Sequence, residues 1–78
     1  MNIYEAIEAL RDNEKVARKG WNGKDMWLVM FDCNMYKLEG YSQLEFPSYI
    51  GFKTVQNTLV AWCPSQTDIM AEDWEIVE

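Results

Sequence analysis

The sequence predicts an α+β domain: an N-terminal helix packed on an antiparallel sheet of about five strands, with a short helix before the last strand. Three observations predict it. Residues 3–10 carry apolar side chains at helical spacing behind a capping box. Short strand-forming runs separated by turn residues fill the middle of the chain. Ser65 and Asp68 then open a second short helix ahead of the strand-like run Trp74-Glu75-Ile76-Val77. At 78 residues the chain holds one domain, spanning 1–78.

In the first element, Asn2 caps the helix and Glu5 completes the box three residues on. Ile3, Ala6, Ile7 and Leu10 make one apolar face, and Glu5, Glu8 and Asp12 point outward. Asp12-Asn13-Glu14 stops the helix, and Lys15 to Arg18 reads as a short strand. Gly20-Trp21-Asn22-Gly23 reads as a turn, because glycine and asparagine tolerate positive φ. Met26 to Phe31 is a continuous apolar run of strand length, as expected of a strand covered on both faces. The N-terminal helix is expected to cover one face and a second subunit the other. Between Asp32 and Pro47 the pattern is weak, with a brief edge strand over Met35–Leu38. Residues 49–55 and 58–62 read as a hairpin turning at Gln56-Asn57. Ser65 and Asp68 start a one- or two-turn helix through Ala71. Trp74 and Ile76 share a face of the last strand.

Composition narrows the function. A chain this short buries only a little over ~60% of its unfolded surface, so its core is small. Four Trp, four Tyr and three Phe supply large buried areas and common interface anchors, and a homo-oligomer is expected. The formal charge of −6 argues against a duplex-binding basic face. Charge is uneven: Lys15, Arg18, Lys19 and Lys24 give residues 15–24 a net +4, so the remaining residues carry −10. That local excess suits a small anion, or it is simply a solvated turn flanked by lysines. Histidine is absent, and Cys33 and Cys63 have no metal-ligand spacing, so no metal site is expected. The sequence leaves a disulfide between those two cysteines open. Met1 leads directly into an amphipathic helix without basic or apolar leader regions, and no apolar run reaches the ~20 residues of a membrane span. A cytoplasmic protein with reduced thiols is expected, with no membrane partner and no cofactor.

Catalysis finds little support. Asp68, Glu72 and Asp73 form the one acid cluster near polar partners, and capping with a solvated acidic face explains it better than acid–base work. Ser65 or Cys63 as nucleophile has no identifiable base. Binding finds more. Trp21 and Trp62 sit beside turns, where an indole can stack on a nucleobase for ~1–3 kcal/mol. The alternative is that both are core or interface anchors, as most aromatics in small domains are. Ser65, Gln66 and Thr67, with the N–H groups opening the following helix, suit phosphate oxygens. Arg18 or Lys24 adds charge, and Asn22 or Asp68 suits a base edge or ribose hydroxyl. Trp27 and Trp74 lie within strand patterns and are assigned to packing.

These two segments, Lys15-Val16-Ala17-Arg18-Lys19-Gly20-Trp21-Asn22-Gly23-Lys24 and Ser65 to Glu75, resemble the second Thoeris anti-defence family of phages and prophages. Glu5, Ala6 and Leu10 of the first helix and Lys53-Thr54 ahead of Trp62 fit the same pattern. The resemblance spans nearly the whole chain, loosest over residues 32–50. It implies a non-enzymatic sponge acting in the host bacterial cytoplasm. Family members assemble as homotetramers and bind cyclic nucleotide signals between subunits: glycocyclic ADP-ribose, and in some members cyclic dinucleotides. Carried over by position, the ligand contacts fall on Arg18, Trp21, Asn22, Gly23 and Lys24, and on Trp62, Ser65, Gln66, Thr67 and Asp68. Relatives carry a basic residue, proline and histidine shortly before the Lys-Thr pair. This chain has Pro47-Ser48-Tyr49-Ile50-Gly51-Phe52 there, which bears on ligand preference if the region lines the pocket.

Three other functions stay open on sequence. The −10 outside residues 15–24 also fits an acidic phage protein that inhibits a host protein directly. An enzyme degrading the signal, with Asp68 or Glu72 as base, is the second. A structural accessory protein, whose aromatics only join subunits, is the third.

Overall fold

The capping box closes as the sequence requires: the Glu5 N–H donates to Asn2 Oδ1 and the Asn2 N–H to Glu5 Oε1, both at 3.0 Å. It opens helix α1 (Ile3–Arg11) in a computed structural model, which describes residues 1–22, 24–31, 40 and 48–78. The helix ends at Asp12, and Asn13 takes a left-handed φ of 63° to release the chain into β1 (Lys15–Arg18). Then follow α2 (Lys19–Asn22), β2 (Trp27–Phe31), β3 (Tyr49–Lys53), β4 (Leu59–Ala61), α3 (Gln66–Met70) and β5 (Trp74–Val77). The predicted Met35–Leu38 strand, Cys33 and Gly23 lie outside the described residues.

One antiparallel five-stranded sheet runs in the order β4-β3-β2-β1-β5. The last strand therefore returns beside the first, pairing Arg18 with Trp74 and Val16 with Ile76. That return brings Arg18 to Asp68 and Asp73 and Trp21 to Trp74, and it positions everything discussed below. The hairpin between β3 and β4 is a three-residue loop with Asn57 at φ 62°. The Asn57 N–H donates to the Thr54 carbonyl, and the Thr54 N–H to the Thr58 carbonyl. Asparagine is the residue that tolerates this conformation, so the turn forms without Asn-Gly.

Pairing puts Val16, Leu28, Phe52, Val60, Ile76 and Trp74 on the face that α1 covers. Ala6, Ala9 and Leu10 from the helix meet Val16, Leu28 and Trp74 there, each below a tenth exposed. Leu28 is buried as predicted for the covered face of β2, and Trp27, Val29 and Phe31 on the opposite face are half-buried in the single chain. Ile76 shares the face of Trp74 but remains 45% exposed.

One local expectation is corrected. Residues 20–23 were expected to form a glycine turn, but Gly20, Trp21 and Asn22 complete a helical turn, α2. Gly20 has no neighbour within 4 Å of an added Cβ, so nothing there demands glycine. Asp25 takes a positive φ (57°), and its carboxylate and carbonyl both accept from Lys53 Nζ at 2.8 Å.

Candidate functional site

Trp74 is the hub of the site. Its side chain is the largest that the core fully buries, and it meets Trp21 and Trp62 edge-on. The centroid separations are 5.3 Å to Trp21 and 5.7 Å to Trp62, at interplanar angles of 84° and 87°. Trp21 also meets Phe52 edge-on at 5.5 Å. Edge-to-face geometry places the positive rim of one ring on the negative face of the next, adding about 0.5–1.5 kcal/mol per pair beyond area burial. Trp21 and Trp62 are both half-buried, so each packs within the fold and keeps part of its surface accessible.

Polar groups fix the same arrangement from outside. Arg18, at the end of β1, donates from Nε to Asp73 Oδ1 at 2.9 Å and from Nη1 to Asp68 Oδ1 at 3.0 Å. The Asp68 carboxylate also accepts the Ser65 N–H, and its own N–H donates to Ser65 Oγ. This is the second capping box predicted from sequence. The backbone carbonyl of Asp68 accepts the Trp74 indole N–H at 3.1 Å. Helix α3 contains no buried residue, so Asp68 is its principal tether. Asp68 thus ties down, through side chain and backbone alike, a short helix whose apolar Ile69 and Met70 stay exposed.

Charge follows the same geometry. Partial burial pushes the Asp68 carboxyl up, but the Ser65 N–H and the Arg18 guanidinium outweigh it and hold the group below the usual carboxylate range. Hydrogen bonds to Asp73 and then Asp68 raise Arg18 above its ordinary value, against opposing desolvation. Arg18 is therefore locked as a cation between two carboxylates. Two of its five N–H donors are committed to them, and its side chain keeps 23% exposure.

The residues predicted from sequence fall into two sets. Arg18, Trp21, Trp62, Ser65 and Asp68 come together around Trp74. Lys24, Gln66 and Thr67 are exposed, and their side chains make no ion pair or hydrogen bond with any described residue. Asn22 ends α2, and Gly23 lies outside the described residues.

Sequence reasoning missed a neighbouring groove of about 480 Å³ between α1, the β3–β4 hairpin and α3. Ile3 and Tyr4 form its helix wall, Tyr49 and Ile50 its sheet wall, and Trp62 and Ile69 its floor toward the aromatic row. Trp62 therefore joins the groove to Trp74. The sheet wall comes from the first two residues of β3. Exposed Tyr4 and Ile69 within an otherwise regular amphipathic pattern are the one sequence signal for it.

The Thoeris anti-defense 2-like domain matches residues 1–77. The protein is also 39% identical over 84 residues to Thoeris anti-defense 2 of Bacillus phage SP01, covering 99% of this chain and 94% of that protein. A match of such extent takes in the capped first helix, the Arg18–Trp21 segment and the Trp62–Trp74 segment together, and the chain belongs to the Thoeris anti-defense 2 family.

Proposed function

We propose that the protein counters a host defence by sequestering a cyclic nucleotide immune signal without turning it over. The ligand is of the glycocyclic ADP-ribose type or a cyclic dinucleotide. One observation carries the reading beyond family membership. The two segments rich in aromatic and hydrogen-bonding residues, distant in sequence, are folded against each other by Arg18, Asp68 and Trp74.

Each predicted contact then has a physical task. Trp21 or Trp62 stacks on the base with the surface it keeps free of Trp74. Gln66, Thr67 and the first N–H groups of α3 meet phosphate oxygens, with Lys24 supplying free positive charge. Arg18 adds its uncommitted donors while holding Asp68 and Asp73 in place. Asn22 and Asp68 meet hydroxyls or a base edge. Since Arg18 is already paired, exposed Lys24 carries more of the net attraction for a diphosphate. The protein acts as a homo-oligomer, and by family resemblance as a tetramer, inside the infected cell.

Native mass spectrometry tests this, with purified protein mixed with cyclic ADP-ribose isomers and cyclic dinucleotides. An oligomer retaining one unmodified nucleotide at defined stoichiometry is expected. Retention of none, with every nucleotide intact, would overturn the sponge and favour direct inhibition of a host protein.

A further inference from the structure

We infer that Asp73, with the Nη2 donor of Arg18, reads a sugar hydroxyl of the bound nucleotide and so selects a ribonucleotide over its deoxy analogue. The inference rests on the nucleotide-binding reading and deepens it, since none of the contacts assigned above belongs to the Asp73 carboxylate.

Hydrogen-bond accounting singles out Asp73. Asp68 has both carboxylate oxygens engaged, Oδ1 by Arg18 Nη1 and Oδ2 by the Ser65 N–H, and its side chain is 15% exposed. Asp73 has only Oδ1 engaged, by Arg18 Nε at 2.9 Å, and its side chain is 38% exposed. Its Oδ2 accepts from no described residue. The sequence points to Asp68 for a hydroxyl contact, yet the fold commits Asp68 to its own tethering and leaves Asp73 the freer acceptor.

The guanidinium supplies the matching donor. Its Nε and Nη2 hydrogens run parallel and form the fork that a carboxylate fills with two oxygens. Asp73 takes the Nε half alone, Asp68 bonds to Nη1, and Nη2 bonds to no described residue. An unengaged donor and an unengaged acceptor therefore flank the same Nε–Oδ1 bond. Backbone contacts hold this pair within the site. The Asp73 carbonyl accepts the Lys19 N–H at 3.1 Å, which pins the residue to the start of α2. The next residue, Trp74, is the ring that Trp21 packs against.

Charge and donor count select the occupant. One guanidinium between two carboxylates leaves the cluster at −1. A phosphate oxygen brought to Nη2 would meet Asp73 with like charge. A hydroxyl adds no charge and carries donor and acceptor on one atom: its oxygen accepts from Nη2 while its hydrogen goes to Oδ2. A base edge presents its donor and acceptor on separate atoms, a poorer match to two groups that flank a single bond.

Titration calorimetry tests this with cyclic di-GMP, cyclic di-AMP and the cyclic ADP-ribose isomers. Each is compared with the analogue lacking the 2′- or 3′-hydroxyl that its linkage leaves free. The parent is expected to bind a ribonucleotide about tenfold or more tightly than its deoxy analogue, because a site built to bond a hydroxyl is left with unpaired polar groups by the analogue. Asp73→Ala is expected to bind the two forms within about twofold of each other. Asp73→Asn, which keeps a neutral acceptor, should show an intermediate preference, with the circular dichroism spectrum of the parent retained in both variants. Such coupling between one side chain and one ligand hydroxyl is not produced by a merely structural role. A parent that binds ribo and deoxy forms equally would overturn the hydroxyl reading and leave the sponge standing. Discrimination that survives unchanged in both folded variants would remove Asp73 as the reader. Variants that lose preference among bases while keeping the sugar preference would reassign Asp73 to a base edge and overturn the inference. A parent that retains no nucleotide of the panel would overturn the sponge, and this inference with it.

Discussion

The indole N–H of Trp74 donates to the backbone carbonyl of Asp68 across 3.1 Å, so a fully buried core aromatic directly holds a helix that has no buried residue. Core packing and site geometry are therefore coupled through two residues. Changes to either are expected to register in both stability and binding.

Trp74→Phe retains an aromatic ring but loses that hydrogen bond and part of the contact with Trp21 and Trp62. A destabilisation of about 1–3 kcal/mol is expected, read as a shift of the urea midpoint at constant slope. Trp74→Ala removes about 3–5 kcal/mol. That is a large share of the ~5–15 kcal/mol typical of a domain, and few other side chains of this core are buried to compensate. A Trp74→Phe variant as stable as the parent would contradict the coupling.

The two carboxylates on Arg18 are expected to be unequal. Asp68 is 15% exposed and also caps α3, whereas Asp73 is 38% exposed and touches only Arg18 through its side chain. Asp68→Ala should cost about 1–3 kcal/mol, and Asp73→Ala about 1 kcal/mol or less. Chemical denaturation of both variants checks the ranking, and the reverse order would sink it.

Acid sensitivity follows from the same group. Asp68 is held below its ordinary range in the folded protein, so the unfolded chain binds its proton first as pH falls. Its contribution to stability is full above about pH 4 and is lost as pH drops through the lowered folded value. Thermal unfolding between pH 6 and pH 2.5 should show this loss in the parent and a shallower slope in Asp68→Asn. Equal slopes would assign the acid sensitivity to other carboxylates.

Much of this architecture is written locally. Both helix starts follow from Asn2/Glu5 and Ser65/Asp68, because a capping box is satisfied within four residues whatever surrounds it. Gly20-Trp21-Asn22 reads as a turn from its residue types, but these residues close a helical turn instead, and Asp25 takes a positive φ of 57°. The Arg18 pairs are different in kind. Their partners lie 50 and 55 residues away, and they meet only because β5 lands beside β1. Residue patterns identify strands but not strand order, so the site residues were legible as types while their joining was not. The groove was hidden for the same reason, since its walls come from α1, β3 and α3.

Lys24, Gln66 and Thr67 separate binding from folding, since none has a side-chain partner among the described residues. Lys24→Ala, Gln66→Ala and Thr67→Ala should each change the thermal midpoint by less than about 2 °C. Lys24→Ala and Thr67→Ala should weaken nucleotide affinity by about 1 kcal/mol or more, with Lys24→Ala also lowering its salt dependence. Titration calorimetry at two salt concentrations reads both effects. Unchanged affinity in all three would remove the α2–α3 face as the ligand surface.

Sequestration without turnover is tested most directly by recovery. The protein is incubated in excess with a cyclic ADP-ribose isomer that it retains, filtered to remove free ligand, then heated to unfold it, and the released nucleotide is identified by mass. The account predicts that the filtrate is depleted and that the heated sample returns the same cyclic molecule in amounts matching the bound sites. Recovery of a linear or otherwise altered product, increasing with time beyond the number of sites, would contradict it and make the protein an enzyme.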